Sequence, residues 1–122
     1  MPVFISGLIV RDFKGLHSLQ EVECTGRDLK PEVDLLSLSM FRISDNAVLG
    51  TLHVIKNSCY THTDFSSCSI DLAHSRQSKL RILVSDLEEG ESRQYGCEAN
   101  TINTKGRTNS SVWTIVVTRT SE

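Results

Sequence analysis

Leu80-Arg81-Ile82-Leu83-Val84-Ser85-Asp86-Leu87-Glu88-Glu89-Gly90-Glu91-Ser92-Arg93-Gln94-Tyr95-Gly96-Cys97 is the stretch on which the fold turns. From Lys79 to Ser85, Leu80, Ile82 and Val84 alternate with Lys79, Arg81 and Ser85. Successive strand side chains point to opposite faces, so this segment predicts a half-buried strand, with Leu83 departing from the polarity of its outer face. Period two fits better than a helical period, and no capping box precedes it. Glu88 to Glu91 is an acidic turn, and Gln94 to Asn100 is the next strand, with Tyr95 two positions before Cys97. Beyond it, the polar turn Asn103-Thr104-Lys105-Gly106-Arg107 leads into Val112 to Arg119 and implies a final hairpin.

Upstream, Leu49 to Ile55 is a strand and Asp45-Asn46 a turn signal. Leu35 to Ile43 reads as the central strand, with Leu36, Leu38 and Met40 on the core face and Leu35, Ser37, Ser39 and Phe41 on the other. The polar loop Gly26 to Asp34 separates it from Leu19 to Cys24, where Gln20, Val22 and Cys24 share a face. Val3 to Val10 is one strand or two half-strands broken at Gly7. The polar stretch Lys56 to Ser69 reads as an irregular edge. With 16 Ser, 10 Thr, only 2 Pro and short runs of Val, Ile and Leu, the chain is all-β.

The 122 residues suit one domain, 1–122, with no repeat or linker dividing it. A hydrophobic fraction of 39% against 23% charged residues is that of a chain that folds. A net charge of -2 gives no field to hold nucleic acid or an anionic membrane surface. No apolar run is long enough to span a bilayer, which excludes membrane insertion by this domain. Met1 to Val10 lacks the character of a secretory leader, and Met1 before Pro2 reads as an expression start, so any natural leader is expected to be already removed. Cys24, Cys59, Cys68 and Cys97 contain no C-x-x-C pair; an even count in a short chain favours disulfides in an oxidising, secreted or extracellular setting, with three pairings open.

Leu87, Glu91, Tyr95 and Cys97, preceded by Leu80, Ile82 and Val84, resemble the L-x-x-x-D-x-x-x-Y-x-C pattern and tyrosine corner of immunoglobulin variable- or intermediate-type domains. The resemblance spans about 16–119 and implies an antiparallel β-sandwich in which Cys24 on strand B pairs with Cys97 on strand F, 73 positions on. Glu91 stands where the family has Asp, with Arg76 as candidate partner, and strand C lacks its Trp. Met40 takes that place, Phe41 points outward, and the sole Trp, Trp113, on strand G, covers part of the core if it shares a face with Ile115 and Val117. The strand-C pattern, together with Val112-Trp113-Thr114-Ile115-Val116-Val117-Thr118-Arg119, is similar to the N-terminal immunoglobulin-type domains of molluscan fibrinogen-related, lectin-related immune proteins. That resemblance implies a secreted protein recognising pathogen surfaces.

With Cys24 and Cys97 so assigned, Cys59 and Cys68 are expected to form a second disulfide at an edge. The competing reading groups Cys59, His62, Cys68 and His74 as zinc ligands, but the interval from His62 to Cys68 is shorter than ligand pairs usually leave. Serines with His17, His53 or His74 and Asp64 or Asp71 form no catalytic motif, and Glu88 to Glu91 reads as a solvated turn in preference to a calcium site. The expectation is a binding domain with no enzyme activity, metal or cofactor. In the variable-type frame the loops Thr25–Asp34, Lys56–Thr63 and Asn100–Thr108 share one end. Asn103, Lys105 and Arg107 are the candidate binding residues, donors suited to a polar or acidic protein or glycoprotein surface. Asn109-Ser110-Ser111 is a glycosylation sequon in a loop before strand G, and Asn57-Ser58-Cys59 is the rarer N-x-C form. The alternative is self-association, as in an adhesion or receptor domain, through a sheet face carrying Phe41 and Leu35; homo-oligomers through adjoining regions are a further expectation.

Overall fold

The computed structural model describes residues 3–5, 8–12, 20–61, 67–84, 87–88 and 90–118. His17, His62, Thr63, Asp64, Ser85, Glu89 and Arg119, and so both ends of the 16–119 range, lie outside the described residues. Among the described residues, ten strands form two antiparallel sheets. One runs β1 (Val3–Ile5), β2 (Leu8–Asp12), β3 (Gln20–Thr25), β8 (Lys79–Val84), β7 (Ser67–Ser69) in spatial order. The other runs β10 (Thr108–Thr118), β9 (Ser92–Ile102), β4 (Asp34–Arg42), β5 (Val48–His53), β6 (Ser58–Thr61). This is the variable-type arrangement, strands A, B, E, D facing G, F, C, C′, C″. The first segment is the pair of half-strands, antiparallel with Ile5 opposite Leu8.

The core lies between the sheets because alternation sends one set of side chains from each strand inward. Val22 and Cys24, Leu80, Ile82 and Val84, Leu38 and Met40, Leu52, Tyr95, Cys97 and Ala99, and Ile115 and Val117 are all buried. Cys24 bonds Cys97 across the sheets, and both are fully buried. Met40 and Trp113 stand directly opposite Cys97 on its two neighbouring strands. The sole Trp lies on strand G, where Trp113 is half-buried against the core. Leu83 is buried too, which accounts for an apolar residue at an outward position.

On β4 the expected faces hold for Leu38 and Met40 but reverse upstream. Leu35 faces Thr101 and Ser37 faces Asn100, so Leu36 is the extra residue of a β-bulge. A bulge resets the alternation, which buries Leu35 and leaves Leu36 half-buried, contrary to the reading that put Leu36 in the core and Leu35 on the outer face. Phe41 does lie outside, its ring over Gly96: a Cβ built there would sit 2.8 Å and 2.9 Å from its Cε2 and Cε1.

The stretch Lys56 to Ser69 is more regular than expected, since it contains β6 and β7. These are edge strands of different sheets, and the Cys59–Cys68 disulfide joins them, so the second bond, like the first, links the two layers. Strand G begins at Thr108, earlier than read, because the register from Ile102 to Ser92 continues unbroken to the hairpin turn.

Candidate functional site

Three connections meet at the end of the sandwich where β4 begins. The B–C loop leaves β3 at Thr25, whose hydroxyl donates to the Ser78 carbonyl at 3.2 Å and accepts from the Arg27 amide at 3.3 Å. Leu29 folds back on the core, its amide donating to the Gly26 carbonyl at 3.0 Å, while Arg76 Nη1 donates to the Leu29 carbonyl at 3.4 Å. A Cβ at Gly26 would lie 3.0 Å from Leu29 Cδ1 and 3.3 Å from Leu35 Cδ2, so the glycine permits that inward turn. The Val54 amide donates to the Leu36 carbonyl at 2.9 Å, bringing the C′–C″ turn to the same end; that turn is 54–57, shorter than the Lys56–Thr63 read from sequence, because Ser58–Thr61 pairs with β5.

The F–G hairpin supplies the facing wall. Asn103 Oδ1 accepts from the amides of Lys105 at 3.0 Å and Arg107 at 2.9 Å, and the Asn103 amide donates to the Arg107 carbonyl at 2.9 Å. Gly106 completes the turn at φ 78°, a conformation natural to glycine. Asn103 is therefore the organiser of this turn: its carboxamide oxygen is engaged within the hairpin, and Nδ2 is its donor end.

Between the walls lies a cleft of about 420 Å³. Leu29, Lys30, Glu32 and Val33 line it from the B–C loop, and Thr101, Asn103, Arg107, Thr108, Asn109 and Ser111 from the hairpin. The structure brings together Asn103, Arg107 and Asn109 of the sequence candidates, and leaves Lys105 exposed at the hairpin tip, outside the lining. Asn109 is in β10 and not in a loop; its Oδ1 accepts from the Ser110 amide at 2.9 Å. Sequence reading missed Lys30 and Glu32, although it placed the loop that carries them at this end.

Other candidates resolve into structural roles. Cys59 and Cys68 are bonded to each other, so neither offers a thiolate to zinc beside His74. Asp71 Oδ1 accepts from the amides of Ala73 at 3.1 Å and His74 at 2.9 Å, which makes it the former of the D–E turn. Glu91 Oε1 accepts from the Glu88 amide at 3.0 Å and lies 3.6 Å from Arg93 Nη2. Arg76, the candidate partner of Glu91, sits instead beside the B–C loop, because β8 carries the chain to the far end before Glu91 is reached. At that far end Arg42 grips Asp45 through two hydrogen bonds of 2.9 Å and 2.7 Å, closing the turn in which Asn46 adopts φ 57°. The Arg42 hydrogen bond holds the Asp45 carboxyl down at about 2.

No protein-family model matches the sequence, and no curated protein does. Among solved structures, murine CRIg is similar, with a TM-score of 0.54 over 100% of this chain and 99% of that chain, at 12% sequence identity. A likeness at that identity is one of fold. Together with the strand order, the Cys24–Cys97 bond between the sheets and the buried Tyr95, it establishes an all-β, immunoglobulin-like antiparallel sandwich.

Proposed function

We propose that this chain is a non-catalytic recognition domain that binds a protein or glycoprotein surface through the cleft between its B–C loop and F–G hairpin. In the fullest form of the reading it belongs to a secreted immune protein directed at pathogen surfaces. The observation that carries it is the cleft itself, with a cation on each wall, Lys30 and Arg107, against one acid, Glu32, among amides and hydroxyls. Such a lining suits an acidic or polyhydroxylated partner group. Both walls hang from paired strands, so little ordering entropy is lost on binding, and loop side chains vary there without disturbing the core. The two disulfides are those of an oxidising compartment, and no described helix is long and apolar enough to cross a membrane.

The test displays the tetramerised domain on arrays of extracellular proteins and microbial glycans, beside Lys30→Glu/Arg107→Glu and Lys105→Glu. Loss of binding in the double variant, with Lys105→Glu nearly unchanged, supports the cleft. Binding that survives the double variant removes it. A second reading, self-association in an adhesion or receptor ectodomain, draws on the exposed Val112, Val116 and Tyr60, which share the outer face of the β10-β9-β4-β5-β6 sheet with Phe41. Loss of binding in Phe41→Ser alone would favour it.

A further inference from the structure

The sequon Asn109-Ser110-Ser111 contributes two residues to the lining of the proposed recognition cleft, and its place in the fold is specific. Ile115 and Val117 of β10 are buried, and Trp113 packs on the core. Alternation gives Ser111 and Asn109 the same facing. They lie beyond the point where the core ends, and there the inward side of the strand is the wall of the B–C/F–G cleft, which both residues line. Asn109 is exposed, and its Oδ1 accepts from the Ser110 amide, which fixes the carboxamide by its oxygen and leaves Nδ2 as the end that can be modified. Across the cleft stand Lys30, Glu32 and Val33. Two disulfides indicate folding in an oxidising compartment, which in eukaryotic cells is also where sequons meet their sugar donor.

We propose that Asn109 is N-glycosylated and that its glycan covers the B–C/F–G cleft, so that occupancy of this one asparagine decides whether the cleft is open. The co-reactant is a lipid-linked oligosaccharyl pyrophosphate. Asn109 Nδ2 attacks the anomeric carbon, the new N–C bond forms as the C–O bond to pyrophosphate breaks, the lipid pyrophosphate leaves with the electron pair, and the amide proton passes to the transferase's base. Because the attachment point is on the wall, the first sugar fills space that a ligand of the cleft would use. Forms with and without the glycan would then differ in the surface they present at this end while sharing one fold.

The test reads accessibility and so is independent of any ligand. The domain is secreted from cultured eukaryotic cells, its Asn109 peptide is examined by mass spectrometry, and the folded protein is briefly treated with a water-soluble acetylating ester. Lys30 lines the cleft and Lys105 does not, so the Lys30-to-Lys105 labelling ratio measures cover, with Lys105 as internal reference. The ratio is expected to be several-fold lower in glycosylated protein than in Ser111→Ala or Asn109→Gln. Enzymatic release of the glycan from the native sample should restore it, which guards against a variant that folds poorly. An unmodified Asn109 in the secreted chain, or equal ratios with and without the glycan, would overturn the proposal.

Discussion

Met40 is fully buried and directly opposite Cys97, with Gly50 across from it on the other side. A Cβ at Gly50 would lie 3.1 Å from Ile82 Cδ1, so the facing sheet comes close and little spare volume surrounds the thioether. Met40→Ala should therefore cost about 2–5 kcal/mol, read from a urea titration. Met40→Trp, which places a Trp on strand C, should also destabilise, by about 1–3 kcal/mol, because Trp113 already occupies the other flank of Cys97 and a second indole overpacks the layer. A near-zero loss for Met40→Ala would contradict its place in the core. A second residue-scale expectation concerns Asp45, whose carboxyl is held at about 2 by Arg42 and by the Ala47 amide, against an ordinary 3.8. A folded-state value below the unfolded one favours folding above about pH 4, and that contribution is lost as pH falls through about 2. The Asp45 carboxyl resonance should titrate near 2, and in Arg42→Gln it should move up toward the usual carboxylate range; an unmoved midpoint would contradict the assigned cause.

The strands were legible wherever side chains alternate, and the clearest were those flanking Tyr95 and Cys97. The β4 bulge was not, because Asp34-Leu35-Leu36-Ser37 offers two adjacent leucines, and only pairing with Thr101 and Asn100 decides which one is the extra residue. That pairing makes a prediction: Leu35→Ala should lose about 2–5 kcal/mol, as a core leucine does, and Leu36→Ala much less, in parallel denaturant titrations. Strands β6 and β7 were hidden for a related reason, since both are short, polar and at edges, where half the backbone pairing is missing and few apolar residues are required. Their cysteines were the visible trace. The cleft was legible only as loops assigned to one end: Lys30 and Glu32 carry no periodicity, and their placement follows from Leu29 anchoring the B–C loop on the core. The two disulfides differ in access. Cys59 is exposed, whereas Cys24 and Cys97 are fully buried, and thiol exchange requires the attacking thiolate to reach sulfur. A mild dithiol reductant should open Cys59–Cys68 first, seen by alkylation and mass mapping. Replacing that pair by serines should cost roughly 2–3 kcal/mol in the chain-entropy account. Simultaneous reduction of both bonds would mean that the β6–β7 edge is better protected than its exposure suggests.

At the scale of the molecule, cleft and sheet face are competing surfaces, and the composition of the face decides which is expected to act. Crossing the outer side of the β10-β9-β4-β5-β6 sheet from β6 to β10, the paired positions are Tyr60, Thr51, Ser39, Glu98 and Val112. The next row has Phe41, Gly96 and Thr114, and Phe41 is partly spent covering Gly96. Val112 at 53% exposure, Val116 at 51% and Tyr60 at 60% are thus separated by hydroxyls and by the Glu98 carboxylate. A two-fold pairing centred on this face would bring Glu98 of one copy toward Glu98 of the other, since an isologous contact repeats the same patch on both sides. Burying like charges without cations carries a desolvation penalty that the scattered apolar groups do not offset. The domain alone is therefore expected to sediment as a monomer at tens of micromolar, in line with the modest size of its apolar patch. Glu98→Gln should be the substitution that promotes association, and Phe41→Ser should leave sedimentation unchanged. A wild-type dimer that Phe41→Ser dissolves would reverse the ranking, making the sheet face the working surface and the cleft a feature of the hairpin's geometry.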